Sequence, residues 1–233
     1  KVKPHTEYGL VGKSIPRVDI PAKVTAEHPY VHDFRLPGML HARVIRSDLI
    51  GATLQGVDDS RARKVKGFVR TVRKGNFLAV VCTSEWAAVK AADAVKAQWT
   101  AGPDLPPKAK LDEAWRKMPL AKEEATQKVG NIDEALAAPV KRVKASYHFA
   151  VQTHASIGPS CAVADFQNGK LVVWSASQAT HSMQHELSII TKLPQQDIRL
   201  VYLDGAGCYG RNGHEDATAD AALIAMEIGK PVR

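Results

Sequence analysis

The stretch Asp204–Asp216, DGAGCYGRNGHED, sets four glycines (Gly205, Gly207, Gly210, Gly213) between a strand-like run and a helix-like one. Ile198–Leu203 is short and apolar enough for a strand, and the chain from about Glu215 to Ile228 has helical spacing. A strand, a glycine-dense turn and a helix in that order demand a mixed α/β architecture with a sharp reversal at the turn. Glycine lets the backbone take left-handed angles and brings amide N–H groups close to a ligand. At a helix start, those amides suit an anion or a polar cofactor. Gly205-x-Gly207-x-x-Gly210 also has the spacing of a dinucleotide fingerprint, which is weak on its own, and the Gly-Lys-Ser/Thr ending of a phosphate loop is absent. Glycine spacing alone therefore leaves open a ligand cradle or a structural turn.

The rest of the chain alternates between the same two element types. Met39–Arg46 alternates Leu40, Ala42 and Val44 on one side and reads as a strand, introduced by the Pro37-Gly38 turn. The basic–apolar alternation of Arg61–Arg73 also reads as a strand, with Gly67–Val72 at its heart. A Lys74-Gly75-Asn76 turn then leads into the apolar strand Phe77–Cys82. Ser84 is placed to cap a helix from Glu85 to about Trp99, along which Trp86, Val89, Ala92, Val95, Lys96 and Trp99 recur at helical spacing, with Trp86 and Trp99 read as core packing. The Pro/Gly break at Ala101–Pro107 closes a first domain over residues 1–100. A charged connector follows over 101–139, with short helical pieces around Leu111–Lys117 and Asn131–Ala137. A second domain spans 140–233. It opens with a period-two strand at Lys141–Val151 and continues with Cys161–Phe166 and Lys170–Ser175. Those two strands are joined by Asn168-Gly169, the strongest short-range hairpin signal. A helix from Thr180 to Lys192, stopped by Pro194, precedes the Ile198–Leu203 strand. Ala221, Ala222 and Ala225 let the last helix approach its neighbours closely.

Composition removes several function classes. The net charge is +8, yet Lys and Arg are spread along the chain, and no zinc-finger spacing or aromatic-rich stacking strand is present. A nucleic-acid partner is not expected. No apolar run approaches the ~18 residues that cross a bilayer. The abrupt opening KVKPHTEYGLVGK shows no signal peptide, and both ends read as cuts in a longer polypeptide, so no compartment is assigned. Cys82, Cys161 and Cys208 form no C-x-x-C pair, which argues against a disulfide framework, a thiolate metal site or an iron–sulfur cluster in this chain. His181 and His185 are four apart on a predicted helix but lack the intervening glutamate of a zinc protease, and two histidines are half a coordination set. Cys208 could serve a thiol hydrolase only if a histidine met it in space.

Against this background the chain resembles the large subunit of the molybdenum hydroxylases, the xanthine dehydrogenase/aldehyde oxidase family. Arg17-x-Asp19, Lys23-Val24-Thr25, Pro37-Gly38-Met39-Leu40-His41 and Arg46-Ser47, within Gly12–Ser47, resemble the opening of that family's α/β-hammerhead domain. Phe77–Trp99 is similar to its closing strand and helix. From Tyr147, the pieces Gln152-x-His154-Ala155, Gly158-Pro159, Trp174-Ser175-x-Ser177-Gln178, the glycine loop and Gly229-x-Pro231-Val232-Arg233 resemble the first molybdopterin-binding domain. Gly207-Cys208-Tyr209-Gly210 is similar to the branch of isoquinoline 1-oxidoreductase, nicotinate dehydrogenase and membrane-linked aldehyde dehydrogenase.

The resemblance implies an α+β fold: a hammerhead domain followed by the beginning of a molybdopterin-binding domain. It implies a molybdopterin cofactor carrying molybdenum, in its cytosine dinucleotide form, and [2Fe–2S] clusters on a small iron–sulfur partner subunit that passes electrons onward to a cytochrome c. The implied reaction is hydroxylation of an aldehyde or an N-heteroaromatic, with water as the oxygen source. Gln178 corresponds to the glutamine that hydrogen-bonds an oxo ligand of the metal, and Gly207, Cys208, Tyr209 and Gly210 to the segment beside metal and pterin. The xanthine-oxidising pattern Phe-Gly-Gly-Lys-Glu reads here Cys208-Tyr209-Gly210-Arg211-Asn212. Asn212 therefore stands where a purine-binding glutamate would be, and Tyr209 shapes the substrate channel. The family's general base is a glutamate expected downstream, so no catalytic residue or metal ligand is assigned within this chain. Glu215 and Asp216 head a helix, where acidic residues meet the macrodipole, and neither is assigned as the base. The competing expectations are a non-catalytic structural or interaction module and the Cys208-dependent hydrolase.

Overall fold

A computed structural model describes residues 2–139, 141–210 and 216–233. In chain order the elements are α1 (Ile20–Val24), β1 (His41–Val44), β2 (Leu54–Asp58), β3 (Phe68–Lys74), β4 (Phe77–Cys82), α2 (Glu85–Ala94) and β5 (Lys96–Trp99). They continue with α3 (Leu111–Lys117), α4 (Ile132–Ala137), β6 (Ala162–Gln167), β7 (Lys170–Ser175), α5 (Thr180–Thr191), β8 (Ile198–Tyr202) and α6 (Asp216–Ile228). The α+β expectation is met. The chain divides into two compact units, one of residues 1–46, 54–98 and 154–233, the other of residues 47–53 and 99–153.

The first unit holds two three-stranded sheets, ordered β1-β4-β3 and β6-β7-β8, and the ribbon β2-β5. β4 is central in its sheet and buried on both faces, which is why it reads as a continuous apolar run. Ala79 and Val81 join the core that contains Leu171, Val173, Leu187 and Ile224, whereas Val80 and Cys82 pack on the other side against Ala87, Ala88 and Ala91 of α2. β6 and β7 form the expected hairpin. Asn168 (φ 51°) and Gly169 (φ 77°) both take left-handed angles, as a two-residue primed turn requires, and Gln167 faces Lys170 across it. β8 returns parallel to β7 through α5, with Leu171 opposite Ile198 and Ser175 opposite Tyr202.

The C-terminal segment joins the two sheets. Leu40 N–H donates to the Pro231 carbonyl, Arg233 N–H to Leu40 and Ala42 N–H to Arg233, at 2.7–2.9 Å. On the opposite side Val232 and Ala164 exchange both of their backbone hydrogen bonds at 2.9 Å. Residues 231–233 thus act as a short strand between β1 and β6, and Val232 is fully buried there.

Three expectations fail. The helix beginning at Glu85 ends at Ala94, and residues 96–99 are strand rather than helix. Its Ser84 cap is as expected, the hydroxyl accepting from Ala87 N–H at 3.3 Å, but the buried stripe is Ala87, Ala88 and Ala91. Trp86 is 67% exposed because methyl-sized residues let the helix lie close to the sheet, which turns the bulky indole outward. Arg61–Arg73 is a short 3-10 turn (Ala62–Lys64) followed by β3, interrupted at Gly67, whose φ is 93°. Lys141–Val151 is not a strand: it makes no strand pairing among the described residues, and Tyr147 and Phe149 are 83% and 88% exposed. Alternation favours a strand only where an edge is available to pair with. β2 was not expected at all. In the second unit, α3 and α4 are where the sequence places them, and Asn131 caps α4 through Glu134 N–H.

The joining segment makes a stability prediction. Val232→Asp puts a carboxylate where no water reaches and should cost several kcal/mol, on the order of half a small domain's stability or more. Val2→Asp, at an 88% exposed position, should be neutral. Urea unfolding midpoints of the two variants test this, and equal midpoints would contradict the role given to residues 231–233.

Candidate functional site

Because β7 and β8 run parallel and in register, their carboxyl ends lie side by side and the loops that follow leave the same edge of the sheet. Ligands in open α/β sheets gather at such carboxyl edges. The loop after β7 carries Gln178 and the loop after β8 carries residues 205–210. They touch: a Cβ on Gly205 would come within 2.6 Å of the Ala176 Cβ, so a side chain there would force the two loops apart.

A chain of buried hydroxyls holds the first loop. Ser175 Oγ and Thr218 Oγ1 share a hydrogen bond of 2.6 Å, Ser175 Oγ accepts from Ser177 N–H, and Ser177 Oγ accepts from Ala179 N–H. All three hydroxyl residues are fully buried. The Ser177 and Ala179 amides, past the end of the strand, thus find side-chain acceptors, and Gln178 is left exposed between these pinned neighbours. Thr218 in this network was not singled out from the sequence. Its only signal is a hydroxyl on an otherwise alanine-lined helix face.

The second loop is held at its root by Asp204. Its carbonyl accepts from Val31 N–H at 2.8 Å. Its carboxylate accepts from His28 Nε2 (2.8 Å), Lys23 Nζ (2.9 Å) and the Tyr202 hydroxyl (2.9 Å). Lys23 also pairs with Asp19, which pairs with Arg17. Lys23 first, then Tyr202 and His28, hold the Asp204 carboxyl below the ordinary carboxylate range, against the opposing effect of burial. Burial, then Asp204, pushes the Tyr202 phenol up. The Asp19–Lys23 spacing hints at an ion pair on one helical turn, but nothing in the sequence points either residue toward Asp204.

Further along, Gly207 (φ 96°) and Gly210 (φ 97°) take angles that L side chains avoid. A Cβ on Gly210 would enter the His154 imidazole. Tyr209, itself left-handed at φ 49°, folds its ring back over Gly207. The Gly210 amide donates to Cys208 Sγ at 3.2 Å, and Ser156 donates to the Cys208 carbonyl. Among the described residues no imidazole is hydrogen-bonded to the Cys208 thiol. Gly207 and Tyr209 line an open cavity of about 430 Å3 together with Tyr30, His32, Asp33 and Ile157. Gln178, Cys208 and Gly210 do not line it. Asn212 and Glu215 lie outside the described residues. His181 and His185 sit on the exposed side of α5.

Residues 117–233, just over half of the chain, match the molybdopterin cofactor-binding domain. The chain belongs to that family. It is 39% identical to a chain of the nicotinate dehydrogenase of Pseudomonas putida over 97% of its length, which is 20% of that relative. It is 29% identical to the beta chain of isoquinoline 1-oxidoreductase from Brevundimonas diminuta, covering all of this chain and 31% of the relative. The chain thus spans between a fifth and a third of these relatives. Its fold is shared with solved oxidoreductases. One is quinoline 2-oxidoreductase of Pseudomonas putida 86 (TM-score 0.75, 18% identity), with 95% of this chain and 34% of that one covered. Another is the aldehyde oxidoreductase of Desulfovibrio gigas (TM-score 0.76, 21% identity), with 93% and 29% covered. An uncharged carboxamide at Gln178, exposed between pinned neighbours, fits an oxygen-rich group such as molybdopterin without adding charge.

Asp204 gives the site a pH signature. A carboxylate whose folded pKa is depressed stabilises the fold above its unfolded pKa, about 3.9, and that stability is lost as pH falls through the lower folded value. Urea midpoints should therefore drop below about pH 4 in the parent chain, and the drop should be shallower in Asp204→Asn. Superimposable pH curves would show that the carboxylate does not hold the loop.

Proposed function

We propose that this chain supplies one wall of the active site of a molybdenum hydroxylase that oxidises an aldehyde or an N-heteroaromatic compound. The observation that carries this reading is the shared carboxyl edge of β7 and β8, from which the Gln178 loop and the glycine loop leave side by side and meet at Ala176 and Gly205. The molybdopterin group, when bound, supplies two-electron oxidation of the substrate with oxygen drawn from water. The Gln178 carboxamide would donate to an oxygen of that group while staying uncharged. Gly207, Cys208, Tyr209 and Gly210 form the segment beside it, with the Gly210 amide turned to Cys208 Sγ, and the Tyr209 ring, 58% exposed, borders the substrate side of the cavity. Asn212 lacks the charge of the purine-binding glutamate and so favours substrates other than purines.

The buried hydroxyl chain and the Asp204 cluster set the position of these groups before any ligand arrives, which lowers the cost of ordering them. The finer assignments belong to the same proposal: the cytosine dinucleotide form of the cofactor, [2Fe–2S] clusters on a small partner subunit, and a cytochrome c as onward acceptor. No residue of this chain is proposed as the general base, which a glutamate elsewhere in the assembly would provide. The division along the chain that accompanies this reading is a hammerhead part over 1–100, a connector over 101–139 and the beginning of the cofactor-binding domain over 140–233. The names of the relatives, two of which act on N-heteroaromatics, support the substrate class.

Two measurements test the proposal. The purified 233-residue chain should carry no molybdenum and oxidise no aldehyde, whereas a full-length large subunit containing it, with its partner, should do both. Turnover by the chain alone would overturn this division of labour. In that full-length enzyme Gln178→Ala should lower kcat/KM by on the order of tenfold or more while shifting the unfolding midpoint little, because one transition-state hydrogen bond is lost at an exposed position. Unchanged kcat/KM would remove Gln178 from the site.

A further inference from the structure

Among the described residues the buried polar side chains are those of Ser175, Ser177 and Thr218, each with no exposure. They lie together, and burying a hydroxyl is costly unless it is paired. Packing alone does not call for a hydroxyl at 218. The rest of the buried face of α6 is Ala221, Ala222, Ile224 and Ala225, and valine has the same branched shape as threonine. What the hydroxyl adds is one contact, the 2.6 Å hydrogen bond with Ser175 Oγ.

Ser175 stands at a junction. It is the last residue of β7, just ahead of Gln178. Its carbonyl accepts from Leu203 N–H at 3.0 Å, where the chain leaves β8 for the glycine loop. Its hydroxyl meets Thr218 in the first turn of α6, where the chain comes out of that loop. The same oxygen accepts from Ser177 N–H at 3.2 Å, and Ser177 Oγ accepts from Ala179 N–H at 3.2 Å. One serine therefore fastens both ends of the glycine loop and, through Ser177, the two amides that flank Gln178.

These links differ in what they require of the sequence. The Leu203–Ser175 contact is backbone to backbone, so almost any residue pair makes it. The Ser175–Thr218 contact needs two side chains, and one substitution removes it. Without Thr218 the Ser175 hydroxyl loses the partner that fixes its rotamer, and its hold on the Ser177 amide weakens.

We infer that Thr218 is a positioning residue for Gln178. Acting through Ser175 and Ser177, it fixes the backbone on either side of the carboxamide and ties that segment to the exit of the glycine loop. The catalytic part of this inference rests on the molybdenum reading of Gln178, whereas the positioning part rests on the hydrogen bonds alone. In this role Thr218 need not touch cofactor or substrate. Its effect is on alignment, and misplacing an active-site group by about 1 Å costs on the order of a hundredfold in rate.

The test uses the full-length large subunit with its partner and two variants. Thr218→Val keeps the shape and removes the hydroxyl, and Thr218→Ser keeps the hydroxyl. Thr218→Val should speed amide hydrogen exchange in residues 176–179 by about tenfold, the worth of one buried hydrogen bond. It should lower kcat per bound molybdenum about tenfold and change KM by less than about twofold, because the loosened group aligns the cofactor rather than the substrate. Thr218→Ser should bring both readouts back to within about threefold of the parent enzyme. A role confined to packing would instead lower the unfolding midpoint and leave exchange at 176–179 and kcat per molybdenum as they were. Ser175→Ala removes the same hydrogen bond from the other side and decides the matter if Thr218→Val does not fold. Where both fold, the double variant should be no slower than Ser175→Ala alone, since Thr218 acts through Ser175.

Unaltered exchange at 176–179 would overturn the inference, as would a loss that Thr218→Ser does not restore. Faster exchange with unaltered kcat, in an enzyme that Gln178→Ala does slow, would overturn its catalytic part. If Gln178→Ala itself has no effect, the molybdenum reading of that residue fails, and the exchange result alone decides whether Thr218 fixes the loop.

Discussion

Three residues near the C-terminus hold two sheets together. Without the backbone hydrogen bonds that Pro231, Val232 and Arg233 make to Leu40, Ala42 and Ala164, β1 and β6 would each be an edge with a row of unpaired donors and acceptors. Paired through residues 231–233, the order β3-β4-β1 continues into β6-β7-β8, and a single core can extend from Val72 and Ala79 to Leu171, Leu187 and Ile224. The preceding glycine and proline, Gly229 and Pro231, fit this role. Gly229 ends α6 with φ 67°, and Pro231 contributes only a carbonyl to the pairing, so its missing N–H costs nothing.

The functional edge is a consequence of that pairing. α6 packs against β6 through small side chains, and its Thr218 reaches Ser175 at the end of β7. Thr218 therefore stabilises the loop that carries Gln178 only while α6 is seated. On the other side, Val31 and His28 hold Asp204, so the root of the glycine loop is fixed by the N-terminal part of the chain. The two loops of the candidate site are positioned by elements from opposite ends of the sequence. Such an arrangement is rigid because each contact is made by groups that are themselves packed, and it explains why glycine is needed at 205 and 210, where neighbouring atoms already occupy the space of a side chain.

Charges follow the same division. At Asp204 the surrounding cations and hydroxyl favour the ionised carboxylate, whereas at Asp220 burial outweighs Arg46 and pushes the carboxyl up. The first group anchors a loop. The second lies beside Arg46 at the rim of a cavity lined by β1, α2 and α6.

Local chemistry was enough to read much of the architecture from the residues. Asn168-Gly169 dictates its hairpin because few other residues adopt left-handed angles in succession. Ser84 and Asn131 announce their helices because their side chains satisfy the first free amides. The glycine loop announces a close approach, which Gly205 makes to Ala176. What the sequence could not determine are the outcomes that depend on a distant partner. Lys141–Val151 has the alternation of a strand and no strand beside it, Trp86 has helical spacing and faces outward, and Asp204 gives no hint of Lys23 or His28. Periodicity records which side chains could be buried together, but burial and pairing are properties of two surfaces, and the second surface exists only once the chain has folded.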